Sequence, residues 1–234
     1  MNSLRPLSDI GHSTGVCSIT FGANGQFFAL PNMPTKKPVP DRRIARTREA
    51  LRVAFVQLIL EKGYDAIAVN DIVQRANIAR STFYAHHGSK ESVLLDGIGA
   101  LREFLTKAQR EPGDNAQGQG GPLVFTGALF EHADSHRDLY HALMGDRGGA
   151  VMINAFRSML ARLIRRELAA LPGGRKSLAP IPFDAVVRFA TDALMGVMTW
   201  WVETKPRLSA AEGARVFRQL IEPALAANGF GAGD

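Results

Sequence analysis

The sequence predicts an all-α protein in which a small three-helix helix-turn-helix head is joined to a larger helical bundle. Three observations predict it. Apolar residues recur at helical spacing through every long pattern, and no alternating strand pattern competes with them. Breaks rich in Gly and Pro divide those patterns into helix-sized pieces. The whole formal net charge of +6 also falls in one segment. Residues 36–110 hold 14 Lys and Arg against 8 Asp and Glu, residues 1–35 hold only Arg5 and Asp9, and residues 111–234 hold 13 of each sign. A basic segment on a neutral remainder points to a polyanionic partner for the segment and a different role for the rest.

Composition bounds the reading further. With 234 residues, 46% of them hydrophobic, the chain has ample material for a packed core. Its single cysteine, Cys17, excludes an intramolecular disulfide framework and a Cys-based zinc finger. No apolar run reaches the roughly 18 residues that a membrane span requires, so no membrane partner is expected. Residues 1–29 lack the basic flank and unbroken apolar core of a signal peptide, and the expected location is the cytoplasm.

Along the chain, residues 1–40 read as a disordered tail, rich in Gly, Ser, Asn and Pro without helical periodicity. Met33, just before the basic run, offers an alternative translation start. A DNA-binding domain is expected over 41–105, a helix end and Gly-rich connector over 106–122, and a helical body over 123–230. In the first helix Leu51, Ala54, Phe55, Leu58 and Ile59 fall on one face, and Gly63 stands where the helix must end. Val69, Ile72, Val73 and Ala76 mark a short second helix. Asn77-Ile-Ala is the turn, since Asn tolerates positive φ better than other side chains. A third helix from Arg80 buries Phe83 and presents its neighbours. Gly88 and Ser89 break the chain and cap a fourth helix through Val93, Leu94, Ile98, Leu101 and Leu105.

Glu61-Lys-Gly-Tyr, the Val69-Asn-Asp-Ile core, Ala76, and above all Arg80-Ser-Thr-Phe-Tyr-Ala-His followed by Ser89-Lys-Glu resemble the DNA-binding head of the TetR family of one-component transcriptional regulators. The resemblance covers residues 44–105 and is specific in order, spacing and residue type. It implies that the third helix enters the major groove of a double-stranded DNA operator, with Arg80, Ser81 and Thr82 reaching base edges or nearby phosphates. It implies backbone contacts from Tyr84 and His86, and a phosphate contact from Lys90, where a helix N-terminus independently favours an anion. Arg42, Arg43, Arg46 and Thr47 stand where family members touch the flanking backbone. A solvated helix start is an equal reading for any one of those arginines. Thr82 can equally serve as packing. Four positions depart from the family pattern: Ala68 replaces a capping Thr, Ala79 a Ser or Thr, Asn77 the turn Gly, and His87 an aromatic. The lost cap on the second helix is worth about 1 kcal/mol.

The body reads as helices near 123–133, 136–144, 149–171, 182–204 and 209–227, divided by Gly145, by Pro172-Gly-Gly and by Lys205-Pro. The helix near 182–204 is apolar on two faces, one through Leu194, Val197 and Trp201 and another through Val186, Phe189, Ala193 and Trp200. It therefore needs cover on more than one side. The resemblance implies a homodimer formed by the last two helices, with Leu194, Val197, Trp201, Phe217, Leu220, Ile221 and Ala224 as the interface. It also implies a pocket for a small-molecule effector. Phe125, Leu129, Tyr140, Met144, Met152, Phe156, Phe189 and Met195 are candidates to line it, although each taken alone reads as plain core before ligand wall. Few charges lie among them, which suggests an apolar ligand.

His132, His136 and His141 could place two imidazoles on one face, but no third ligand has a fixed spacing. They read as an ordinary polar junction, and no metal or cofactor is expected. No phosphate loop, nucleophile elbow, Cys–His pairing or zincin motif points to an enzyme. The regulator reading implies repression from a palindromic operator, relieved by the effector. The alternative is a helical interaction or ligand-binding protein with a vestigial DNA-binding head.

Overall fold

A computed structural model describes residues 42–110, 122–145, 148–171, 181–204 and 207–230. The chain divides into Met1–Asp41 and Arg42–Asp234, and only the second unit is described. The expected tail and most of the expected connector lie outside the described residues.

The described residues are helical throughout, with turns between: α1 (Arg42–Lys62), α2 (Val69–Arg75), α3 (Arg80–His86), α4 (Lys90–Arg110), α5 (Phe125–Ser135), α6 (Arg137–Met144), α7 (Gly149–Ala170), α8 (Phe183–Glu203) and α9 (Ala210–Ala226). Helix α1 buries the five residues that its periodicity selects. It ends at Gly63, whose φ of 77° puts it in the left-handed region while its N–H donates to the Ile59 carbonyl at 2.9 Å. Helix α2 starts at Ala68, which supplies no side-chain acceptor. Asp71 provides the other half of a cap, accepting from the Ala68 N–H at 2.7 Å and from Lys62 Nζ at 2.6 Å. Asn77 occupies positive φ, 52°, at the turn into α3, as its residue type predicts. Helix α4 is capped from within: the Ser92 hydroxyl accepts from the Ser89 N–H at 3.2 Å and donates to the Ser89 carbonyl at 2.7 Å.

In the body, α5 packs on α9, α7 on α8 and α8 on α9. The first four helices are joined to it through α1, which meets α6, and α4, which meets α5 and α7. Buried Arg137 closes one end of the bundle. It donates from Nη2 to the Trp201 and Val202 carbonyls, at 2.6 and 3.3 Å, satisfying acceptors that the last turn of α8 leaves open. Its guanidinium also lies 4.2 Å from the Trp201 ring centroid. Trp201 in turn donates from Nε1 to the Leu208 carbonyl at 3.1 Å. Helix α9 approaches so closely here that a Cβ on Gly213 would lie 2.7 Å from both Phe130 and Trp201. Ser209 and Glu212 form a full capping box at its start.

Helix α5 begins two residues later than the sequence suggests. Leu123 is buried at a positive φ of 66°, and the Val124 N–H donates to Glu167 Oε1 at 2.6 Å instead of opening an earlier helical turn. The other Glu167 oxygen accepts from Gln109 Nε2 at 2.8 Å. One carboxylate on α7 therefore ties α4 and the start of α5 together. Burial pushes its pKa up against these hydrogen bonds.

Candidate nucleic-acid interface

Helix α3 is held by one residue. Phe83 is fully buried and packs edge-on against Tyr84, with ring centroids 5.4 Å apart. That anchor leaves Arg80, Ser81, Tyr84 and Ala85 exposed, with Thr82 and His86 half-buried at the margins. Arg80 leans along the helix toward Tyr84: Nη2 lies 3.4 Å from the hydroxyl and the guanidinium 5.7 Å from the ring centroid. A planar cation, two hydroxyls and a phenol thus share one short exposed surface. These are donor types that bind phosphate oxygens and base edges. His87, just beyond α3, packs inward against Phe83, and desolvation lowers its pKa.

Lys90 opens α4 and is not a free side chain. Its ammonium donates to the Tyr64 carbonyl at 3.1 Å and the Asp65 carbonyl at 3.3 Å, and sits 4.5 Å from the Tyr64 ring centroid. Tyr64 donates from its hydroxyl to Glu91 at 3.3 Å, and burial followed by Glu91 pushes that phenol up to about 12. An ammonium has three donors, so two carbonyls leave one N–H for an anion. The sequence motifs contained Tyr64 and Glu91, but their role in orienting Lys90 depends on contact across 26 positions.

At the start of α1, Arg42, Arg43 and Arg46 are exposed. Thr47 is half-buried, and its hydroxyl donates to the Arg43 carbonyl at 3.0 Å, so it bonds its own helix. At the other end of α1, Arg75 and Glu61 form a two-armed ion pair at 2.6 and 2.7 Å that clamps α2 to α1.

The remaining expected residues differ in their placement. Phe125, Leu129, Tyr140 and Phe156 are buried in the common core. Met152 borders a small apolar cavity of about 140 Å³ between α1, α4 and α6. Met144 and Met195 line a larger cavity of about 540 Å³, together with Ile153, Arg157, Arg188 and Asp192. Phe189 is 55% exposed on α8 and lines neither of these cavities. The interface candidates also differ in burial. Leu194, Trp201, Phe217 and Ile221 are buried within the protomer. Leu220 is exposed at 63%, and Val197 and Ala224 are half-buried. Phe189 and Trp200 are the large apolar side chains that α8 turns outward.

His132 and His136 stack at 4.4 Å. Nδ1 of His132 lies 3.1 Å from the Tyr140 hydroxyl and Nδ1 of His136 lies 2.9 Å from the His132 carbonyl. Those nitrogens are engaged in the protein's own hydrogen bonds. Among the described residues no group of three or more His, Cys, Asp or Glu side chains could hold a metal ion, and no helix is long and apolar enough to cross a membrane.

Residues 51–96 match the family described as bacterial regulatory proteins, tetR family, and residues 123–223 match a transcriptional regulator C-terminal region. The uncharacterized HTH-type transcriptional regulator YxbF of Bacillus subtilis is 45% identical over 67 residues, 28% of this chain and 18% of that protein. The HTH-type transcriptional regulator TcmR of Streptomyces glaucescens is 34% identical over 89 residues, 37% of this chain and 38% of that protein. The chain therefore spans well under half the length of these two curated relatives. A TetR transcriptional regulator from Streptococcus agalactiae has the same fold, with a TM-score of 0.59 over 78% of this chain and 97% of that one at 24% identity.

Proposed function

Because the chain belongs to the tetR family of bacterial regulatory proteins, we propose that it is a sequence-specific DNA-binding repressor, a homodimer released from a palindromic operator by a small-molecule effector. The observation that carries this reading is the α3 surface. A helix anchored by Phe83 alone presents Arg80, Ser81 and Tyr84 to solvent, on the segment that holds all the net charge. In this reading Arg80, Ser81 and Thr82 reach base edges in the major groove. Tyr84, His86 and the remaining N–H of Lys90 bind phosphates, and Arg42, Arg43, Arg46 and Thr47 follow the flanking backbone.

Two heads must be set about 34–36 Å apart, or a multiple of a helical turn, to read a two-fold site. The outward Phe189, Trp200 and Leu220 support α8 and α9 as the joining surface, because exposed aromatic and aliphatic groups of this size favour burial against a second copy. The cavity lined by Met144 and Met195 supports an effector site. Its volume suits a small ligand, and its Arg157, Arg188 and Asp192 wall favours an amphipathic molecule over a purely apolar one. An effector needs only to prefer the head arrangement that misfits DNA; a difference of about 1–3 kcal/mol releases it roughly 5- to 150-fold.

A salt titration against the DNA upstream of its own gene and a scrambled duplex of equal length tests the reading. A preference of about 10³-fold or more for the native sequence is expected. Weak and equal binding to both would overturn operator recognition at that DNA.

A further inference from the structure

The body is neutral in sum, but its charges are unevenly partnered. On α7, Arg165 pairs with Asp184 at 2.6 Å and Arg157 approaches Asp192 at 3.5 Å. Arg162 and Arg166 lie one turn apart on the same helix and make no ion pair among the described residues. Across a groove of about 560 Å³ they face α4, which contributes Arg102 and Arg110, likewise without an ion pair among the described residues, and Thr106. The floor is Leu163, which is 3% exposed.

Among the described residues, one acid lines this groove against five cations, Arg102, Lys107, Arg110, Arg162 and Arg166. Glu103 is the acid that lines it, and it sits one turn from Lys107 on α4, which also borders the groove. Glu167 directly follows Arg166 in sequence, but its carboxylate is turned away, bonded to Gln109 and the Val124 N–H. Four arginines thus line one concavity between two packed helices. Like charges so placed repel, and an anion between them relieves the repulsion. Arginine predominates over lysine here, and its planar fork matches the oxygens of a phosphate in two parallel hydrogen bonds. The volume lies in the range of small-molecule sites, roughly 300–1,000 Å³.

The geometry points to a second ligand site in this protein: the α4–α7 groove binds a small phosphate ester or anhydride carrying at least two negative charges, held by Arg102, Arg110, Arg162 and Arg166. This site is distinct from the cavity assigned to the effector and does not depend on the DNA-binding reading. Its occupancy would pin the body end of α4, the helix whose other end carries Lys90.

The test is thermal unfolding of the full chain with sodium tripolyphosphate, against sodium sulfate at matched ionic strength. At about a hundredfold excess over Kd, a rise in Tm of roughly 5–10 °C is expected with tripolyphosphate and not with sulfate. The double substitution R162Q/R166Q should abolish the shift while leaving the unliganded Tm unchanged or higher, since it removes repulsion at exposed positions. R102Q alone should reduce the shift, which keeps the test open if the double variant fails to fold. R42Q/R46Q, at the far cationic site on α1, should leave the shift intact. No shift, an equal shift with sulfate, or a shift lost in R42Q/R46Q and kept in R162Q/R166Q would overturn the assignment. So would stabilisation through the same arginines by a single-stranded oligonucleotide but not by tripolyphosphate, which would make the groove a nucleic-acid contact.

Discussion

Arg80 and Lys90 are both cations at the edge of the first four helices, but their surroundings differ. Arg80 is exposed and reaches Tyr84 of its own helix, whereas Lys90 is bound to two carbonyls of the loop after α1. Arg80→Ala should therefore relax base preference with little effect on stability. Lys90→Ala should weaken binding to every sequence alike and flatten the salt slope by about one unit. Fluorescence anisotropy over a salt series checks both, and identical behaviour of the two variants would refute the division of roles. His132 shows a second effect of placement. Burial, with stacked His136 adding to it, lowers its pKa from 6.5 to about 4. The unfolded chain then takes up a proton before the folded chain does. This contribution is full above about pH 6.5 and declines as the pH falls toward about 4. His132→Gln should show a shallower loss of stability than the parent across that window, measured as urea midpoints. Equal slopes would mean that the imidazole does not stay neutral in the folded state.

At the scale of elements, helix ends account for several local outcomes. Helix α2 has seven residues and lacks a side-chain cap at Ala68, yet Asp71 and the Lys62 pair hold its first turn. Ala68 already has the extended backbone of a cap residue, with ψ of 157°. Ala68→Thr should complete the box and raise the unfolding free energy by about 1 kcal/mol, read from chemical denaturation. No gain would indicate that the Asp71 half already satisfies this end. Helix α9 has a full box at Ser209 and Glu212 but carries Pro223 inside its last turns, where the ring cannot donate to Gln219. Helix α5 is set by a distant group: Glu167, more than forty positions away, captures the Val124 N–H.

At the scale of the whole molecule, the outward side chains of α8 and α9 matter most. Phe189, Trp200 and Leu220 are each about half exposed or more. Their replacement should leave the protomer folded. Leu220→Glu is expected to shift the sedimentation equilibrium toward monomer and to weaken operator binding, while circular dichroism stays helical. Phe217→Glu, three residues earlier on α9 but fully buried, should unfold the chain instead. A wild-type protein that sediments as a monomer at all accessible concentrations would remove the dimer from the proposed mechanism.

The all-helical class, the order of the helices, the stop at Gly63 and the positive φ of Asn77 are local properties, written in residue spacing and backbone preference, and the sequence by itself determined them. The residue types on α3 were legible for the same reason: with one large apolar anchor in a seven-residue helix, Phe83 must point inward and its neighbours outward. Tertiary structure decided which of the two apolar faces of α8 stays outside. Periodicity shows that two faces exist but not which one the protomer's own helices cover; α6, α7 and α9 pack on α8, Leu194 and Trp201 are buried, and Phe189 and Trp200 remain exposed. Packing likewise decided that Lys90 rests on Tyr64, that Arg137 closes α8, and that Arg102, Arg110, Arg162 and Arg166 line one groove. Each of those arrangements joins side chains far apart in the chain, and their meeting depends on how the helices pack.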